Sequence, residues 1–78
     1  SFLALDPTQG ERILEQLGDQ IKNFQRMKKP PVVLCSPRLR PHFKKFTERN
    51  YPNLAVLSYN EIIPQIKVQS IGILSSED

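Results

Sequence analysis

The chain has 78 residues, 38% of them hydrophobic and 24% charged, with a formal net charge of +3. That length allows one small domain of marginal stability, burying about 60–65% of the surface its unfolded form exposes. The single cysteine excludes an internal disulfide and points to a reducing compartment, no Cys/His group has metal-ligand spacing, and no apolar run approaches the roughly 20 residues of a membrane span.

Phe2 to Leu5 is a short apolar run that reads as a strand. Asp6, Pro7 and Gln9 then suit an N-cap, a first helical residue and the far side of a capping box. Ile13, Leu14, Leu17, Ile21 and Phe24 recur at helical spacing, with Met27 extending the same face. Lys28 and Lys29 complement the negative end of this helix, and Pro30-Pro31 stops it. Val32-Val33-Leu34-Cys35, apolar throughout and rich in β-branched residues, predicts a strand buried on both faces.

Ser36-Pro37 opens a second helical segment, but Pro41 has no N–H to give the first turn. The expectation is a tight 3₁₀-like turn over Pro37 to Arg40, then a regular helix from Pro41 to about Asn50, with Leu39, Phe43 and Phe46 inward. Leu54 to Leu57 is a third strand. Ser58 with Glu61 three residues on forms another capping-box signature and predicts one helical turn before Pro64. Ile66 to Ser70 alternates as a half-buried strand should, and Ile71 to Leu74 continues it with a phase slip. The order is β-α-β-α-β-turn-β. It predicts an α/β fold in which right-handed crossovers build a mostly parallel sheet of about four strands around two main helices. The expected core is Val32, Val33, Leu34, Leu39, Phe43, Phe46, Leu54, Val56, Leu57, Ile71 and Ile73.

The basic residues are unevenly spread. Lys22, Arg26, Lys28, Lys29, Arg38, Arg40, Lys44, Lys45 and Arg49 lie in one window with a single acid, Glu48. Such a block serves an acidic partner, nucleic acid or a membrane surface, or simply solvates helix faces. At about 100° per residue, Arg38, His42, Lys45 and Arg49 fall within roughly 60° of one another. They form a candidate partner-binding stripe beside the apolar face of the second helix.

Cys35 ends a strand just before a helical segment, a place where thiols are activated and parallel sheets bind ligands. The phosphatase pattern needs an arginine six residues after the cysteine. Pro41 stands there instead, and the loop contains no glycine. His42 lacks a carboxylate or cysteine at catalytic or metal-binding spacing, and the three glycines are too scattered to cradle a phosphate. The residues therefore indicate no catalytic, cofactor or metal site, and the chain reads as non-enzymatic. Two rivals belong to other classes: a phosphocarrier domain of the sugar-phosphotransferase kind using Cys35, and a basic nucleic-acid-binding module. The second lacks stacking aromatics, since Phe43 and Phe46 face the expected core.

Pro31 to Pro41, Tyr51 to Ile62 and Val68 to Gly72, with Leu5-Asp6-Pro7 at the start, resemble the extreme C-terminus of the FlhA/FHIPEP family. Leu57-Ser58-Tyr59-Asn60-Glu61-Ile62 is the distinctive element, whereas the helix around Gln16 to Lys29 is generic. The resemblance implies a C-terminal subdomain, spanning residues 1–78, of a larger membrane-anchored export-gate protein of bacterial type III secretion, flagellar in preference to injectisome. It further implies a ring of cytosolic domains at the cytoplasmic face of the inner membrane. That ring would meet other subdomains and copies of the same protein, export substrates, chaperones and the ATPase complex, and would involve no nucleic acid. The family's main chaperone-docking surface belongs to earlier subdomains, so none of its residues carries over.

Overall fold

The computed structural model describes residues 5–62 and 72–75, which fall into two compact units: Leu5–Pro30 with 72–75, and Pro31–Ile62. In the first unit, helix α1 spans Pro7–Met27. Its capping box is complete: Gln9 N–H donates to Asp6 Oδ1 at 2.8 Å, and Asp6 N–H donates to Gln9 Oε1 at 3.1 Å. Two backbone donors that the first turn leaves without partners are thereby satisfied. Lys28 ends the helix in the left-handed conformation (φ 56°, ψ 43°), and the N–H groups of Lys28 and Lys29 return to the carbonyls of Gln25 and Phe24. The reversal thus precedes Pro30, with a lysine where glycine is the usual choice. Ile13 and Leu17 are buried, and Leu14, Ile21 and Phe24 half-buried. Met27 is 43% exposed, so the apolar face stops one turn earlier than its spacing predicts.

The second unit is a β-α-β element. Strand β1 spans Val32–Cys35 and strand β2 spans Ala55–Ser58; they pair in parallel, with Val33 opposite Val56 and Cys35 opposite Ser58. Parallel neighbours need a crossover, and helix α2, Arg40–Thr47, supplies it while packing against β2. Phe43, Leu54, Val56 and Cys35 are buried, together with the polar Thr47 and Ser58. The rings of Phe43 and Phe46 lie 6.0 Å apart at 50°, a tilted aromatic pair.

The turn before α2 forms as Pro41 requires. Leu39 N–H reaches both Ser36 O, at 3.1 Å, and Ser36 Oγ, at 3.2 Å. Arg40 N–H also donates to Ser36 O, and the helix starts one residue before the proline. At its other end α2 stops at Thr47, short of the expected Asn50. The Thr47 hydroxyl donates to Phe43 O at 3.1 Å, and the chain turns back through Asn50 and Tyr51, whose N–H groups both donate to Thr47 O. Pro52 disfavours the helical conformation at Tyr51 and so reinforces that stop.

One expectation about the sheet reaches beyond the described residues and another needs correction. The described residues contain two strands, not four. Leu5 and residues 72–75 are not in strands, and the expected strands at 2–4 and 66–71 lie outside the described residues. β1, expected to be buried on both faces, is not: Val32 is 42% exposed at the strand's first position, and the one strand beside it among the described residues is β2. Of the remaining predicted core, Val33, Leu34, Leu39, Phe46 and Leu57 are half-buried, Ile73 is 88% exposed, and Ile71 is outside the described residues.

Candidate functional site

The carboxyl ends of β1 and β2 bring together Cys35, Ser58 and the turn that follows β2. That turn, Tyr59–Glu61, is a single 3₁₀ turn closed by Ile62 N–H donating to Tyr59 O. Glu61 folds back onto the strand end, where its Oε1 accepts from Ser58 N–H and from Ser58 Oγ, each at 2.9 Å. Asn60 Oδ1 is also within reach of the Ser58 hydroxyl, which has one proton and so serves one acceptor at a time. From the start of α2, Arg40 Nε stands 3.2 Å from the same Glu61 oxygen. The contact is ionic rather than a well-aligned hydrogen bond, since Nε is buried without meeting hydrogen-bond geometry.

These contacts set the local electrostatics. Hydrogen bonds from the backbone and then the hydroxyl of Ser58 hold the Glu61 carboxyl below its ordinary pKa, against desolvation and with lesser help from the Arg40 charge. Cys35 behaves in the opposite sense. Burial pushes its thiol above the ordinary value; the Arg40 charge pulls down and the Glu61 charge pushes up. Cys35 is 7% exposed, and its Sγ makes a weak contact to Leu57 O at 3.8 Å. A nucleophilic or phosphate-carrying thiol needs exposure and a lowered pKa. Cys35 has neither, so the cluster is a strand-end clasp.

The predicted stripe sits on the same unit. Arg38, His42, Lys45 and Arg49 are all exposed, but only His42 and Lys45 lie on α2 itself. Arg38 belongs to the turn before it and Arg49 to the turn after it. Lys44, the neighbour omitted from the stripe, has a different task. Its Nζ donates to Leu54 O at 2.7 Å and Pro52 O at 3.1 Å, tying the α2–β2 loop to the helix. Reading the sequence missed this role and the Arg40–Glu61 contact; the Ser58–Glu61 spacing was the one local signal for the clasp. Among the described residues, no His/Cys/Asp/Glu group could hold a metal ion, and no helix is long and apolar enough to cross a membrane.

The second unit is thus a small β-α-β element with a buried thiol, a clasped strand end and exposed basic side chains on and around α2. Residues 1–67 match the FHIPEP family, and the chain belongs to it. It is 35% identical over 74 residues to the flagellar biosynthesis protein FlhA of Bacillus subtilis, covering 95% of the chain and 11% of that protein. It is 38% identical over 72 residues to the low calcium response locus protein D of Yersinia pestis, covering 92% of the chain and 10% of that protein. With the FlhA of Salmonella typhimurium it shares 34% identity over 58 residues, covering 74% of the chain and 8% of that protein. The chain therefore spans about a tenth of the length of the curated relatives it matches. Relatives with flagellar and other names match at similar identity, so the likeness does not separate the flagellar from the injectisome branch.

Proposed function

We propose that this chain is the C-terminal cytosolic subdomain of a type III protein-export gate, acting as a non-catalytic element at the cytoplasmic face of the bacterial inner membrane. In this reading it supports assembly of the gate into a ring, takes part in its conformational switching, and docks export substrates or their chaperones. Family membership supports the gate assignment. The observation that carries a docking role is the exposure of Arg38, His42, Lys45 and Arg49 in a unit whose described residues include only two acids, Glu48 and Glu61. Glu61 is already engaged by Ser58 and Arg40, so the described residues of this unit remain net basic and suit an acidic protein surface.

The test is capture of purified flagellar chaperone–substrate complexes by the chain and by its Arg38→Glu/Lys45→Glu/Arg49→Glu variant. Charge reversal should lower capture by about tenfold or more at low salt, with the gap narrowing as salt rises. Equal capture by two variants of equal helicity would return the stripe to a solvated surface. Duplex or single-stranded DNA should compete weakly; salt-sensitive DNA binding tighter than that of the chaperone complex would favour the nucleic-acid rival.

A further inference from the structure

Lys22, Arg26, Lys28 and Lys29 belong to the basic window of the sequence but have no part in the docking stripe. They gather at the carboxyl end of α1, where all four are exposed and where Met27, 43% exposed, stands among them. At 1.5 Å per residue the rise from Lys22 to Arg26 is about 6 Å, and Lys28 and Lys29 follow directly. The four charges therefore lie within roughly one Debye length, ~8 Å at physiological salt, of the helix end. No Asp or Glu occurs between Asp19 and Glu48, and Arg26 Nη1 donates to the neutral Asn23 Oδ1 at 2.6 Å, a contact that leaves its charge in place. Lys28 is the one non-glycine residue at positive φ among the described residues. Glycine takes that conformation without steric cost, yet a lysine holds it and adds its charge to the cluster.

The chemistry of this end narrows its partner. The only aromatic residue from Lys22 to Pro30 is Phe24, which is half-buried, so nothing there offers a platform for stacking bases. Three of the four cations are lysines, point charges without the planar fork that pairs with one particular carboxylate or phosphate. Point charges spread around an apolar tip suit a continuous anionic surface, with the lysine stems and the methionine lying towards its apolar layer. We propose that the carboxyl end of α1 is a docking surface for an anionic lipid bilayer. Lys22, Arg26, Lys28 and Lys29 meet the headgroups, and Met27 enters between them. A basic patch with one apolar residue gives reversible contact, not stable anchoring. The surface uses no residue of the stripe and does not depend on the gate assignment.

The experiment measures binding of the full chain to vesicles of mixed phosphatidylglycerol and phosphatidylethanolamine, with phosphatidylcholine vesicles as the neutral reference. At low salt the chain should bind the anionic vesicles at least about fiftyfold more tightly, and the preference should shrink as salt rises. Lys28→Gly removes a charge and relieves the left-handed backbone, so it should weaken vesicle binding about fivefold while leaving the melting temperature unchanged or higher. Lys28→Gly/Lys29→Gln should weaken binding about twentyfold, whereas Arg38→Gln/Lys45→Gln/Arg49→Gln should stay within about threefold of the unaltered chain. The chain has no tryptophan, so Met27→Trp reports on the tip alone. Its emission should shift to the blue on anionic vesicles and stay in place on neutral ones. A loss in the stripe variant as large as in the Lys28/Lys29 variant would overturn the proposal, because binding would then follow net charge. An unshifted emission on anionic vesicles would overturn it too. So would tighter binding, at the same salt, to duplex DNA or polyglutamate than to anionic vesicles, which would assign the surface to nucleic acid or to an acidic protein. The assay contains no export component, so its failure leaves the gate assignment standing, and failure of chaperone capture leaves this result standing.

Discussion

Lys44 Nζ donates to the carbonyl of Leu54 at 2.7 Å, joining the middle of α2 to the last residue before β2. The same ammonium holds Pro52 O, so one side chain secures the loop that feeds the parallel strand. Leu54 is buried, so a carbonyl there that loses its donor is costly to leave unpaired. Lys44→Met retains the aliphatic stem but leaves both carbonyls without their charged donor. It should lower stability by about 1.5–3 kcal/mol, read as a fall in the urea midpoint at unchanged m-value. A shift no larger than that of Lys45→Met, an exposed control on the same helix, would contradict the clamp.

Glu61 should make stability depend on acid. Its folded pKa lies below the ordinary value of 4.5, so its contribution is present above that value and fades as pH falls through the lower folded pKa. Melting temperatures of the chain and Glu61→Gln should differ by a constant amount from neutrality down to about pH 5.5 and converge below about pH 4. Added salt should narrow the gap only in part, because Ser58 hydrogen bonds, ahead of the Arg40 charge, hold the carboxylate. A gap that widens in acid would show that the sign is wrong.

Cys35 works at the alkaline end. A thiol whose folded pKa is raised favours folding fully below the unfolded value of 9.0, and that contribution is lost as pH rises through the folded pKa. The chain should therefore lose stability above about pH 9, and Cys35→Ala should remove that alkaline limb. Alkylation by iodoacetamide at pH 7.5 should be at least tenfold slower than that of a free cysteine peptide. Fast alkylation of the folded chain would revive a reactive thiol.

Phe43 is the aromatic anchor of the β-α-β unit, buried on the inner face of α2 and paired with Phe46. Phe43→Ala should cost about 3 kcal/mol or more. In a chain of 78 residues that is a large part of the total stability, so the variant should be largely unfolded at 37 °C by circular dichroism. Phe46→Ala, at a half-buried position, should cost clearly less; equal losses would place the core elsewhere.

Features confined to a few residues could be read from the chain itself. Asp6, Pro7 and Gln9 announce the start of α1, Ser36 and Pro37 the turn before α2, and Ser58 with Glu61 the turn after β2. In each case donor and acceptor are three or four residues apart, and local geometry alone brings them together. The exposure of His42 and Lys45 was legible for a similar reason, since helical spacing places them beside, not within, the apolar face; Arg38 and Arg49 are exposed too, but in the turns that flank α2. The all-apolar run Val32 to Cys35 misled: composition marks a strand, but coverage of its faces depends on how many neighbours the sheet supplies.

The helix caps, the parallel β-α-β pattern and the family are written in the order of the residues. Which polar groups meet depends on the packed fold. Arg40 reaches Glu61 because strand register sets Cys35 beside Ser58, Lys44 finds Leu54 because the loop folds back under the helix, and Gln16 grips Ser75 across most of the chain. Their side-chain types carry no signal of a distant partner. A hydrogen bond acts over about 3 Å, and only the packed fold brings such residues that close.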